Sequence, residues 1–191
     1  MNKVKMSISW KLVGIIVVIL VAVIAIPFAV GISTENKAYS MEEQISESKS
    51  GIDIQLKKRN DVVTQLVQVV EEFSAHEKSI VDSVTEARAQ LNGGDATGAL
   101  KTLNLVVENY PEIATGDTYK HLMVEISTCE QSISNYRDNY NQQVKTYRKF
   151  TRNVINKFFL SMRGYEPIEV QYLEFDADEL EVITDMFGNS K

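Results

Sequence analysis

The chain has 191 residues and carries 20 basic and 26 acidic side chains, for a formal net charge of −6. This acidic balance argues against nucleic acid as a partner, because phosphate binding needs a basic surface. The single cysteine, Cys129, excludes an intramolecular disulfide.

A long apolar run near the amino terminus predicts a membrane anchor. Residues 12–34 contain no charged side chain, and a membrane-spanning helix needs about 20 apolar residues. We therefore expect a short N-terminal segment (1–11), a transmembrane anchor (12–34) and a helical stalk (35–50). A cleaved signal peptide is the alternative, with Ala29 and Gly31 as its small-residue site, but the run is longer than the usual signal core.

Basic residues on the two sides of the anchor bear on its orientation. Lys3, Lys5 and Lys11 precede the span, whereas only Lys37 and Lys49 follow it within about 15 residues. Basic flanks favour the cytoplasmic side. The bias predicts a single-pass membrane protein whose domain is extracytoplasmic, with a cytoplasmic domain as the alternative.

The chain after the anchor has the apolar spacing of long helices. From Ile52 to Leu91, alternating steps of four and three residues meet an apolar side chain at ten of twelve positions, which is a coiled-coil pattern. A short helix is expected between Asp95, its N-cap, and Pro111. A third helix is expected over 117–160. The predicted core residues are Leu66, Val70, Ile126, Ile133 and Tyr140.

The helix lengths predict how these elements assemble. At about 1.5 Å per residue the two long helices span roughly 60 and 65 Å, and the short helix only about 22 Å. The predicted fold is therefore all-α: a single N-terminal transmembrane helix followed by a long antiparallel helical bundle. The short helix covers one end only, which leaves an apolar groove for the C-terminal tail, a second protomer or a partner helix.

Several short motifs along the helices form one recognisable pattern. They are Ile52 to Arg59, Asp61, Leu66-Val67, His76-Glu77-Lys78, Ala87-Arg88, Tyr110-Pro111, Tyr140-Asn141, Val144, Tyr147, Phe150 and Asn153. The pattern resembles the LemA family of bacterial membrane-anchored helical proteins. The resemblance implies an antiparallel bundle over 51–165 on a single anchor, followed by an acidic tail (166–191), and no established catalytic activity. Thr64 and Thr151 stand where the family has proline, which predicts straighter helices.

The sequence predicts no catalytic residue, no cofactor and no metal site. His76-Glu77 lacks the second histidine that a zinc-protease helix needs four residues on. Di-iron bundles need Glu-x-x-His pairs, but Phe73 and Thr118 occupy the positions three before His76 and His121. No nucleophile elbow or Walker-type glycine loop occurs either.

Charge is unevenly distributed near the carboxyl terminus. Residues 139–165 contain six basic and no acidic side chains, whereas residues 164–190 contain eight acidic and no basic ones. In an antiparallel hairpin the basic stretch would lie beside Lys57 to Arg59. The candidate interaction surface is therefore Lys57, Lys58, Arg59, Lys145, Arg148, Lys149, Arg152, Lys157 and Arg163.

Three uses of this basic surface remain open. The acidic tail, with a possible short helix over 178–187, could dock on it. It could face anionic lipid headgroups, although a straight stalk would hold it tens of ångströms away, beyond the roughly 8 Å Debye length. It could also be a solvated face beside a disordered tail.

These observations favour a non-enzymatic, membrane-anchored helical scaffold or protein-interaction module of the bacterial cell envelope. The expected partners are the membrane, through the single span, and a protein or a second copy along the bundle. The alternative is a regulatory or sensor subunit that binds a peptide, a lipid or a partner helix in the apolar groove.

Overall fold

A computed structural model describes residues 10–73 and 77–174. These residues form α1 (Trp10–Glu72), α2 (Lys78–Asn92), α3 (Ala96–Asn109), α4 (Asp117–Arg152) and α5 (Val154–Arg163), with a 3₁₀ turn at Ile113–Thr115. No strand occurs in the described ranges, so the all-α prediction is confirmed. His76 and the possible helix over 178–187 lie outside the described residues.

The described chain divides into two compact units. The anchor unit comprises residues 10–45 and 143–171, and the core unit comprises residues 46–142 and 172–174. Both units contain part of α1 and part of α4. In the core unit the pairs Gly51–Tyr136 and Lys58–Glu125 show that the two helices are antiparallel. In the anchor unit the pairs Lys37–Phe150 and Glu42–Tyr147 show the same.

The core unit has a continuous apolar core built from α1, α2, α3 and α4. Leu66, Val70 and Ile126 belong to this cluster, with exposures of 1% or less. Ile133 and Tyr140, further along α4, are also buried. The cluster follows the four-and-three spacing of α1, so burial of one apolar stripe on each helix stabilises this unit.

The prediction of one helix over 52–91 is wrong. Helix α1 ends at Glu72, and α2 begins after Glu77, whose backbone is extended (φ −126°, ψ 109°). An extended residue cannot continue the helical hydrogen-bond ladder. The apolar spacing continues into α2, where Ile80, Val84 and Leu91 are buried, so periodicity alone does not reveal the break.

The third predicted helix is also interrupted. Helix α4 ends at Arg152, and Asn153 caps α5, because its side chain accepts hydrogen bonds from the backbone N–H groups of Ile155 and Asn156. Because Thr151 replaces a proline, the sequence predicted a straighter helix here. The interruption at Asn153 shows that this prediction is wrong for this region. Val154, the first residue of α5, is 84% exposed.

The short helix α3 begins as predicted. Asp95 is its N-cap, and the carboxylate accepts a hydrogen bond from the backbone N–H of Gly98 at 2.7 Å. Gly94 just before it has φ +84°, a conformation that favours glycine.

Gly51 allows a close approach between α1 and α4. A Cβ atom on this residue would lie 2.4 Å from the ring of Tyr136. Glycine weakens a helix by about 1 kcal/mol relative to alanine. At position 51, however, the missing side chain lets an aromatic ring pack against the α1 backbone.

Candidate interaction surface

The first part of α1 is a candidate transmembrane segment. Its large apolar side chains are exposed, including Leu12 (54%), Ile24 (72%) and Phe28 (54%). The helix is long and apolar enough to cross a membrane, and a helix is the form that leaves no backbone polar group unsatisfied in lipid.

The predicted basic stretch lies in the anchor unit and is not uniform. Lys145, Lys149, Arg152 and Lys157 are exposed. Arg148 is half-buried and donates to the carbonyl of Val170. The exposed lysines and Arg152 are therefore accessible to a partner, whereas Arg148 holds the backbone of the tail.

Lys58 and Arg59 contact acidic residues of α4 and not the basic stretch. Arg59 is buried and pairs with Glu130 at 2.8 Å, and Lys58 pairs with Glu125 at 3.1 Å. The hydrogen bond to Glu125 raises the pKa of Lys58. The expected juxtaposition of these two residues with residues 145–163 was wrong, because α1 and α4 meet in a different register. Lys57 is exposed in the same unit.

A polar cluster joins α1, α4 and the tail in the anchor unit. Glu42 accepts a hydrogen bond from the Tyr147 hydroxyl at 2.7 Å and another from the Tyr165 hydroxyl. The two hydroxyl oxygens lie 2.9 Å apart, and the backbone N–H of Ile168 donates to Tyr147. Burial raises the pKa of both tyrosines, and for Tyr165 the hydrogen bond to Glu42 raises it further.

Sequence reasoning missed this cluster, although a signal was present. The four-and-three spacing of α1 extends upstream from Ile52 through Ile45 to Glu42 and Ala38. Ala38 and Ile45 are buried. A charged residue on an apolar stripe indicates a buried polar contact. Arg59, further along the same stripe, is a second example.

The tail beyond α5 borders an open cavity of about 670 Å³ in the anchor unit. Its walls combine basic residues of α4 and α5, such as Arg152 and Lys157, with residues 164–170 of the tail. Leu173, in the core unit, exchanges two backbone hydrogen bonds with the Asn141 side chain, at 2.8 and 2.9 Å. On the tail side, backbone groups and not acidic side chains make the contacts with Asn141 and Arg148.

Helix α5 packs against the carboxyl end of the apolar segment. The Arg163 guanidinium lies 5.3 Å from the centre of the Phe28 ring, and its Nε donates to Glu35 at 2.8 Å. A Cβ atom on Gly31 would be 3.5 Å from Met162. The stalk therefore does not hold the whole basic stretch tens of ångströms from the span, as the sequence suggested.

No group of three potential metal ligands lies close together in the two described ranges. His121 is exposed. Cys129 is buried, and desolvation raises the pKa of its thiol. A raised thiol pKa lowers the fraction of reactive thiolate, as expected for a cysteine on an apolar stripe.

Comparison with known proteins finds relatives of this chain and a family that matches it. Magnetosome protein MamQ 2 of Paramagnetospirillum magneticum is 25% identical over 149 residues, which cover 59% of this chain and 55% of that protein. Magnetosome protein MamQ of Magnetospirillum gryphiswaldense is 22% identical over 186 residues, covering 78% of this chain and 68% of its own. The chain thus spans little more than half the length of MamQ 2. Residues 48–184 match the LemA family, and the protein belongs to that family.

Proposed function

We propose that this chain is a non-enzymatic, membrane-anchored helical scaffold of the bacterial cell envelope that binds an acidic partner protein. The observation that supports this most is the exposed basic face of α4, formed by Lys145, Lys149 and Arg152 in a stretch without acidic residues. The chain as a whole is acidic, so this face differs in sign from its surroundings. Such a patch steers and selects partners of opposite charge.

Photocrosslinking in cells tests this proposal. A photoreactive amino acid at Lys149 should capture a partner protein. The same amino acid at Lys120, an exposed lysine of α4 in the core unit, is the matched control. Reversing the charge with Lys145→Glu and Arg152→Glu should abolish the adduct. Identical adducts at both positions, or an adduct that survives charge reversal, would contradict a basic docking face.

We also propose that the domain is extracytoplasmic, on the basis of the lysines that precede the span. A single cysteine can be placed at Asn92, an exposed residue at the end of α2, with Cys129→Ala removing the native thiol. Labelling of intact cells by a membrane-impermeant reagent is the expected result. Labelling only after lysis would place the domain in the cytoplasm.

A sensor or regulatory subunit is a second candidate, favoured by the 670 Å³ cavity of the anchor unit. Ligand pockets commonly have volumes of about 300–1,000 Å³. A bound peptide or lipid should then be detected by native mass spectrometry of the purified chain. Ser161→Trp, which adds bulk to the cavity wall, should lower its occupancy. A chain that never carries a ligand, even after incubation with an envelope lipid extract, would contradict this function.

A further inference from the structure

We propose that α5 lies in the lipid headgroup region of the membrane, with one apolar face inserted among the acyl chains. The four exposed side chains that form this face are Val154 (84%), Ile155 (66%), Phe158 (64%) and Met162 (49%). The proposal adds a second membrane contact to the span of α1. It shares Arg152 with the basic face of α4 but does not require the partner protein proposed for that face.

The first argument is the arrangement of these side chains around the helix. At about 100° per residue, Val154, Phe158 and Met162 fall within about 80° of one another, and Ile155 lies next to them. Leu160, which is buried, and Arg163, which contacts α1, face the other way. Leu160 is thus covered by the protein, whereas Val154, Ile155 and Phe158 are mostly exposed and Met162 borders α1 at Gly31.

The second argument is the position of α5 along α1. Its C-terminal residues contact Phe28 and Gly31, within the uncharged run, and Glu35, the first charged residue after it, while Leu160 packs with Ala38 one turn further along α1. A bilayer core takes about 20 helical residues, so the end of the 12–34 segment reaches the interface. From Phe28 to Glu35 the helix rises by about 10 Å, which matches the about 5–10 Å depth of interfacial helices.

The third argument is the cations beside the apolar face. Arg152 and Lys157 line the same surface depression as Phe158 and Met162. Lipid surfaces of bacteria and other cells contain anionic headgroups, which attract basic residues at the end of an interfacial helix. A bilayer presents acyl chains directly beside these headgroups, so it matches both the apolar face and the cations next to it. Apolar insertion beside a basic rim therefore favours a lipid surface.

The N-cap keeps α5 in this orientation. The Asn153 side chain accepts from two backbone N–H groups of α5, and Asn156 donates to the carbonyl of Phe150 at 3.0 Å. The helix therefore starts in a fixed direction from the end of α4, although the two residues after the cap, Val154 and Ile155, are exposed.

Quenching of tryptophan fluorescence by brominated lipid tests the proposal. The full chain is reconstituted in vesicles of phosphatidylcholine and phosphatidylglycerol with bromine on the acyl chains. In a Trp10→Phe background, Phe158→Trp is the probe. Ile24→Trp, within the span, is the positive control. Leu105→Trp is the matched negative control, since Leu105 is 60% exposed on α3 of the core unit.

We expect Phe158→Trp to be quenched, because an interfacial depth brings its side chain to the acyl chains, and Leu105→Trp to show no quenching. Quenching of the probe equal to that of Leu105→Trp would overturn the proposal. A blue-shifted but unquenched probe would overturn it in favour of a protein covering the face, such as a second copy. An unquenched Ile24→Trp would instead show that α1 is not inserted, which also overturns the proposal.

Discussion

In the core unit α1 meets α4 and its neighbours mainly through aliphatic side chains, whereas in the anchor unit the same two helices meet around Glu42 and two tyrosines. Leu66 has no exposed surface, and Ile126 is 1% exposed. Glu42 accepts from both Tyr147 and Tyr165. The comparison shows that helical spacing selects which positions meet, while residue type decides whether the contact is tolerant apolar packing or a directional polar network.

The largest expected effect is at the centre of the core unit. Leu66→Asp buries a carboxylate among aliphatic side chains and should cost about 5 kcal/mol or more. Leu105→Asp, on an exposed leucine, should stay within about 0.5 kcal/mol of wild type. Denaturant unfolding of the chain in detergent, followed by circular dichroism, measures both. Wild-type stability of Leu66→Asp would refute the core assignment.

The ion pair of the core unit should follow next. Arg59→Met leaves Glu130 without its countercharge, and breaking a buried pair costs about 3–5 kcal/mol. Adding Glu130→Met should recover much of the loss. Lys58→Met is the matched control, because the Lys58 side chain is 48% exposed and such pairs contribute about 0–1 kcal/mol. Equal losses of stability for Arg59→Met and Lys58→Met in the same unfolding assay would contradict this ranking.

In the anchor unit the expected effect depends on pH. The pKa of Tyr165 is raised by burial and by Glu42, so the folded state holds this proton more tightly than the unfolded state. The stability that Tyr165 contributes is complete at pH values below about 10, the pKa of tyrosine in the unfolded chain. It is lost as the pH rises above that value toward the higher pKa of the folded state.

Unfolding measured on both sides of that pH tests this assignment. Tyr165→Phe should weaken the alkaline loss of stability. Tyr39→Phe, a 49% exposed tyrosine of the same unit, should keep the wild-type dependence. An alkaline loss that is unchanged in Tyr165→Phe would show that another group is responsible.

The smallest expected effect concerns the tail. Asn141→Ala removes two hydrogen bonds to the backbone of Leu173, each contributing about 1 kcal/mol. Cleavage by chymotrypsin at Leu173 should become about 30-fold faster, at low and high salt alike, since the lost partner is uncharged. Asn135→Ala, on an exposed face of α4, is the control. Cleavage that salt accelerates and Asn141→Ala does not would favour docking of the tail through its charges.

The sequence predicted the parts of the fold that repeat one spacing. The four-and-three steps through Leu66 and Val70 identify the core face of α1, and extending them upstream reaches Glu42 and Ala38. The cluster there was missed because Glu42 reads as part of a solvated stalk until a partner is known. Its partners Tyr147 and Tyr165 come from distant segments, and only the register of α1 against α4 brings them together.

The helix ends were harder to predict. Glu77 has no glycine or proline beside it, and the apolar steps continue from Val70 to Ile80 as if the helix were unbroken. At the end of α4, Asn153 is an ordinary polar residue until its side chain turns back to cap Ile155 and Asn156. Such local hydrogen bonds compete with the helix, and the sequence does not show which arrangement wins.

The contact between Gly51 and Tyr136 also has an evolutionary consequence. An alanine at 51 would overlap the tyrosine ring, so the helices could not keep their separation unless the ring gave way. The size of the side chain at position 51 is thus limited by the size of the side chain at position 136. Among relatives of this chain, we expect a larger residue at 51 to occur together with a smaller residue at 136, so that the two sites change as a pair.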